Sequence, residues 1–74
     1  MADEARIMYV KPRCPYCQQA REELTARGDS WEERDATSRT DWKAELMEHS
    51  KGTGMVPTIV AAGRVETVGW KGKG

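Results

Sequence analysis

Arg6-Ile7-Met8-Tyr9-Val10-Lys11-Pro12-Arg13-Cys14-Pro15-Tyr16-Cys17 joins a short run of β-favouring residues to two cysteines spaced by one helical turn. Arg6–Val10 reads as a buried first strand, and Lys11-Pro12 ends it because proline cannot donate to a sheet ladder. Pro15 suits the first turn of a helix, where its missing N–H is no loss. Cys17, Ala20 and Leu24 then recur on one helical face until Gly28 provides a stop. The cysteine pair therefore lies where a strand hands over to a helix.

Working outward, Ser30–Arg34 reads as a second short strand, and its charge assigns it to a sheet edge. Ser38 with Asp41 three residues later resembles a capping box, and Trp42, Leu46 and Met47 or His49 follow on one face up to Gly52. Trp42 and Leu46 are expected in the core, Trp31 in the core or on a contact surface, and His49 at the negative end of the helix dipole. Ser50–Gly54 is a loop. Pro57–Ala61 reads as a strand entered from proline, and Gly63-Arg64 turns into Val65–Val68. The apolar residues of Val65–Val68 do not alternate cleanly against Ile59 and Ala61, yet a hairpin remains the simplest reading. The order is β-α-β-α-β-β, an α/β chain with a mixed sheet flanked by helices. Gly69–Gly74 is too short and glycine-rich for a third helix.

The chain has 74 residues, which sets an expectation of one domain over residues 1–74 with a small core. It is 38% hydrophobic and contains three tryptophans, too apolar for a disordered polymer. Twelve basic and twelve acidic side chains cancel without forming long runs, so neither nucleic acid nor an anionic membrane is an expected partner. Lys71 and Lys73 make the only basic cluster, in the glycine-rich tail. The start, Met1-Ala2-Asp3-Glu4-Ala5-Arg6, lacks the charged and apolar regions of a secretory signal, and no stretch approaches the length of a membrane span. A cytoplasmic monomer is the expectation.

Cysteine usage agrees, because small secreted folds rely on several disulfides and this chain has two cysteines three positions apart. A bridge between them closes about four residues and is worth only about 2 kcal/mol in the loop-entropy model. Reversible chemistry explains the pair better than stapling does. The thiolate is the species that attacks a disulfide. At a helix N-cap, unpaired N–H groups and the positive end of the dipole favour a negative Cys14, and Lys11 and Arg13 add positive charge. Cys17, one turn on and aimed more toward the body of the domain, is placed to resolve a mixed disulfide. The alternative use of the spacing is metal ligation, as half of a zinc site or, in a dimer, around an iron–sulfur cluster. No second CxxC or His pair supports it, and His49 is the one neutral nitrogen ligand. No resident metal is expected.

Lys11-Pro12-Arg13-Cys14-Pro15-Tyr16-Cys17, followed some forty residues later by Met55-Val56-Pro57, resembles the glutaredoxin family over Arg6 to about Gly69. The resemblance implies a thioredoxin-like fold with a four-stranded mixed sheet and thiol–disulfide oxidoreductase activity at Cys14 and Cys17. It implies no bound cofactor, with glutathione as reductant and disulfide-containing proteins or glutathione mixed disulfides as substrates. It further implies a cis peptide before Pro57, a Val56 backbone that pairs with a bound thiol peptide, Lys11 on the glycine carboxylate of glutathione, and Tyr16 and Gly69 lining the same groove.

Two departures bear on the electron donor. Met55 stands where glutathione-binding members usually carry threonine, and Gly69-Trp70-Lys71 stands where Gly-Gly and an acidic residue grip the glutamyl end. Loss of that charge-assisted contact removes about 1.5–3 kcal/mol from glutathione binding. Tryptophan beside glycine here resembles the NrdH-redoxin branch, which implies thioredoxin reductase as the alternative donor. Without a third helix, one sheet face is left for Trp70 or a partner to shield.

Overall fold

The computed structural model describes residues 6–61 and 63–71. The expectations made of Met1–Ala5, of Lys73 and of the last glycines lie outside the described residues.

Met8, Tyr9 and Val10 of strand β1 (Arg6–Val10) are all buried, so both faces of that strand must be covered. It is accordingly an inner strand. β2 (Glu32–Asp35) pairs with it in parallel and β3 (Thr58–Ala61) antiparallel, and β4 (Arg64–Val68) completes a four-stranded mixed sheet of order β2-β1-β3-β4. Helix α1 (Pro15–Ala26) connects β1 to β2, and helix α2 (Thr40–His49) connects β2 to β3. The α/β, thioredoxin-like architecture expected from the sequence is the one observed, with two helices among the described residues.

Alternation along β1 assigns each helix its face. Tyr9 donates to Glu45 of α2 at 2.7 Å and meets the His49 ring at 5.7 Å. On the other face, Leu24 of α1 shares a hollow with Ile59, the register partner of Met8. Cys17, Ala20 and Leu24 are the buried residues of α1, as their spacing requires. Side chains the size of Leu24 or Met8, both essentially fully buried, each contribute about 1.5–3 kcal/mol.

Helix α1 stops where Gly28 adopts a φ of 79°, which lets Gly28 N–H reach Thr25 O at 3.0 Å and Asp29 N–H reach Leu24 O at 2.9 Å. The second strand begins and ends slightly later than Ser30–Arg34, because its register follows Ile7–Val10, and it occupies a sheet edge as expected.

Three details differ from the sequence expectations. The capping box is absent: Arg39 is the N-cap of α2 and makes no side-chain cap, while the Ser38 hydroxyl donates to Asp35 O at 2.8 Å. Asp35 organises that turn instead, accepting from the backbone and hydroxyl of Thr37 at 2.8 and 2.6 Å. Asp41 is drawn to Arg39 at 2.7 Å. Trp42 is half-buried and outside the core, its ring flanked by the guanidinium groups of Arg39 at 4.7 Å and Arg34 at 5.9 Å. Finally, the irregular pattern of β4 is a bulge: Ile59 pairs with Thr67 and Val60 with Val65, so Glu66 is left over. Glu66 and Thr67 consequently both line the hollow on the α1 side.

Trp70 fills the place where a third helix was missing from the pattern. It is buried in the core cluster and lines the same hollow as Leu24 and Ile59, and Lys71 reaches Glu23 of α1 at 3.7 Å. The segment after β4 thus crosses to α1 and shields that face.

The buried Tyr9 hydroxyl gives a pH-dependent contribution to stability. Burial, then the hydrogen bond to Glu45, push its pKa up to about 12 from an ordinary 10. The unfolded chain releases this proton near pH 10 and the native state holds it, so the contribution is intact below about pH 10 and lost as pH rises toward about 12. Tyr9→Phe is expected to cost about 1–2 kcal/mol at neutral pH. It should also remove up to about 2 kcal/mol of the alkaline loss, read as a shallower fall of the urea midpoint above pH 10 than wild type shows.

Candidate active site

Cys14 is the N-cap of α1, with extended backbone angles (φ −102°, ψ 104°) and Pro15 at the start of the helix behind it. Its Sγ accepts the Cys17 backbone N–H at 3.2 Å, the contact by which a capping side chain satisfies an orphan donor. No acidic side chain stands in the first turn to oppose a negative sulfur there. Arg13, immediately before it, takes a φ of 61°, the left-handed region that a side chain adopts only when its surroundings hold it there.

Both cysteines are free thiols with contrasting exposure: Cys14 is half-buried and Cys17 has no accessible surface. Burial, followed by the hydrogen bond with Cys14, pushes the Cys17 thiol up to about 12. The Lys11 backbone and the charge of Arg21 act in the opposite direction.

Opposite the sulfurs, the Val56–Pro57 peptide is cis, and the Cys14 thiol donates weakly to Val56 O at 3.9 Å. The loop that carries it is fixed by buried hydroxyls that sequence reasoning did not single out. Thr58 Oγ1 donates to Met55 O at 2.7 Å, and Ser50 Oγ accepts Gly54 N–H at 2.9 Å. Both residues are almost completely buried, so each hydroxyl must find a partner, and the loop backbone supplies it. Lys11 joins β1 to this loop by donating from Nζ to Gly54 O at 3.3 Å.

Of the residues expected at the site, Cys14, Cys17, Val56 and Pro57 meet at one end of the sheet, and Lys11 reaches the same loop. Tyr16 lies in the first turn of α1, partly buried against the core. Gly69 (φ 76°) follows Val68, the partner of Thr58, so the register carries it alongside Pro57, and its carbonyl accepts from Thr67 Oγ1 at 3.0 Å.

A groove of about 510 Å³ opens at the C-terminal ends of the parallel pair β1 and β2, where open α/β sheets bind ligands. Lys11, Arg39 and Lys43 line it together with Thr37, Ser38 and Thr40, over Ala36, Leu46 and Met47, and among the described residues no carboxylate lines it. Arg39 and Lys43 were not anticipated, because they reach the groove only through the turn after β2. Among the described residues, no group of three His, Cys, Asp or Glu side chains is arranged to hold a metal ion.

Comparison with known proteins agrees with this geometry. A comparison with curated proteins yields no match. Among solved structures, the chain resembles the holo form of glutaredoxin C1 from Populus tremula x tremuloides, with a TM-score of 0.70 and 24% identity. The match covers 89% of this chain and 66% of that one, so this chain spans about two thirds of the neighbour's length. The family model for Glutaredoxin matches residues 7–66, from the first strand into the last and including both cysteines and Val56-Pro57, and on that match the chain belongs to the glutaredoxin family.

Proposed function

We propose that the protein is a dithiol thiol–disulfide oxidoreductase in which Cys14 attacks and Cys17 resolves. The observation that carries this reading is the asymmetry of the pair: Cys14 caps a helix and faces Val56 O, while Cys17 is fully buried. In the cycle, the Cys14 thiolate bonds to one sulfur of a substrate disulfide and expels the other as a thiolate. Cys17 then bonds to Cys14 and releases the second thiolate, so two electrons pass to the substrate and Cys14–Cys17 is left oxidised. An outside thiol or reductase returns the two electrons.

Glutathione and its mixed disulfides are the proposed partners of the cationic groove, with Lys11 meeting the glycine carboxylate. Lys11→Met is expected to raise KM for a glutathione mixed disulfide by about tenfold with kcat changed far less, the effect of losing one charge-assisted contact. At the glutamyl end Gly69-Trp70-Lys71 offers no acidic side chain, since Trp70 is buried and Lys71 is paired with Glu23. That favours a second donor, thioredoxin reductase. An NADPH-coupled assay run with glutathione and its reductase, and separately with thioredoxin reductase, decides between them. Turnover with neither donor overturns the oxidoreductase reading.

A further inference from the structure

The formal charges of the chain cancel, but its cations are not equally compensated. Arg6, Arg21, Arg27, Arg34, Arg39 and Lys71 are each paired with an acidic side chain. Among the described residues, Lys11, Arg13 and Lys43 have no such partner, and all three are exposed. Lys51 and Arg64 are likewise unpaired, but Arg64 stands opposite Ala61, at the end of the sheet away from the sulfurs.

Lys11 and Lys43 line the same groove of about 510 Å³, together with the exposed Met47. Its third cation, Arg39, is already neutralised by Asp41 through hydrogen bonds of 2.9 and 2.7 Å. Two links tie this groove to the attacking sulfur. Lys11 lies three residues before Cys14, so their Cα atoms are at most about 11 Å apart. Lys11 Nζ also donates to Gly54 O, two residues before the Val56 carbonyl that faces Cys14 Sγ at 3.9 Å. A polypeptide bonded through sulfur to Cys14 therefore reaches Lys11 within about three residues of its own cysteine.

If Lys11 meets the glycine carboxylate of glutathione, Lys43 is left without a counter-ion, and Gly69-Trp70-Lys71 offers no carboxylate to the glutamyl ammonium. An acidic polypeptide suits the site better, since it supplies carboxylates to both lysines and needs no anion at Gly69. We infer that this groove selects protein disulfides whose cysteine has acidic side chains within about three residues, with Lys43 as the specificity-determining cation. The inference rests on the proposed dithiol cycle and names its substrate class.

Two peptides test it, identical except that the residues flanking their one cysteine are Glu in the first and Gln in the second, each joined by a disulfide to 2-thiopyridine. The Cys14 thiolate of the reduced protein bonds to the peptide sulfur, and the bond to the pyridyl sulfur breaks and releases coloured pyridinethione. Cys17 then bonds to Cys14 and frees the peptide as a thiol, so the pair is oxidised and the mixed disulfide reduced. Each rate is divided by that of the same peptide with a small neutral thiol, which removes differences in intrinsic reactivity. Wild type should favour the Glu peptide about fivefold at low salt, the scale of exposed ion pairs, and the preference should vanish near 1 M salt, where charges act over only about 3 Å. Lys43→Gln should reduce the preference to about twofold and Lys43→Glu should reverse it, while Arg64→Gln keeps the wild-type value. The readout is a ratio taken on one sample, so it does not depend on the fraction of a variant that is folded. A wild-type ratio near one, a Lys43→Gln ratio equal to wild type, or an equal fall in Arg64→Gln overturns the inference and leaves the dithiol cycle intact. Failure of the wild-type protein to release pyridinethione from either peptide overturns the cycle itself.

Discussion

Cys14→Ser should lower disulfide reduction by on the order of 10³-fold or more, because a serine hydroxyl does not ionise near neutral pH and the remaining thiol, Cys17, is fully buried. Cys17→Ser should behave differently. The first attack survives, resolution does not, and the protein accumulates as a covalent adduct at Cys14. Mass spectrometry after mixing with a disulfide substrate reads both outcomes at once: Cys14→Ser stays at its own mass, and Cys17→Ser gains one substrate thiol. Full activity in Cys14→Ser would remove the basis for assigning it the attacking role. Equal trapping in both variants would show that the buried sulfur is open to substrate, contrary to its complete burial.

The second large effect is structural. Trp70→Ala should cost about 3 kcal/mol, toward the lower end of the range for emptying a buried aromatic site, because the residue lies at the rim of the core. A chain of 74 residues is worth only about 4–11 kcal/mol in total at 0.05–0.15 kcal/mol per residue, so the loss is a large share. With a slope near 1 kcal/mol per molar for a small protein, the urea midpoint should fall by about 2–3 M. Trp70→Phe, which keeps most of the ring area, should recover more than half of that. The reason is position: Trp70 covers the α1 face beside Leu24, Ile59 and Thr67, which no further helix covers among the described residues. A Trp70→Ala midpoint equal to wild type would mean that this face needs no cover.

The strand-to-helix junction was legible because three local signals coincide there: an apolar run, prolines that allow neither a longer strand nor an earlier helix, and cysteines one turn apart. The edge position of β2 followed from its charge, and the stop of α1 from Gly28. What could not be read depended on contacts distant in sequence. Ser38 and Asp41 have capping-box spacing, but Asp35 and Arg39 compete for the same groups. Trp42 has core spacing, yet two arginines from different elements hold it at the surface. The hydroxyls of Ser50 and Thr58 look like ordinary loop and strand residues until burial shows that the Val56–Pro57 loop hangs on them. Arg21 reads as one of many exposed helical charges, and only its pairing with Glu33 across to β2 fixes where its charge sits.

The bulge at Glu66 has a bearing on how the protein behaves when crowded. A sheet with two open edges offers two templates on which another chain can add a strand. Here one edge, β2, carries Glu32, Glu33, Arg34 and Asp35 in succession, and the other, β4, breaks its own ladder between Val65 and Thr67. Neither rim presents an unbroken, uncharged row of hydrogen-bonding groups, so the irregularity that blurred the sequence pattern also protects the fold against edge-to-edge aggregation.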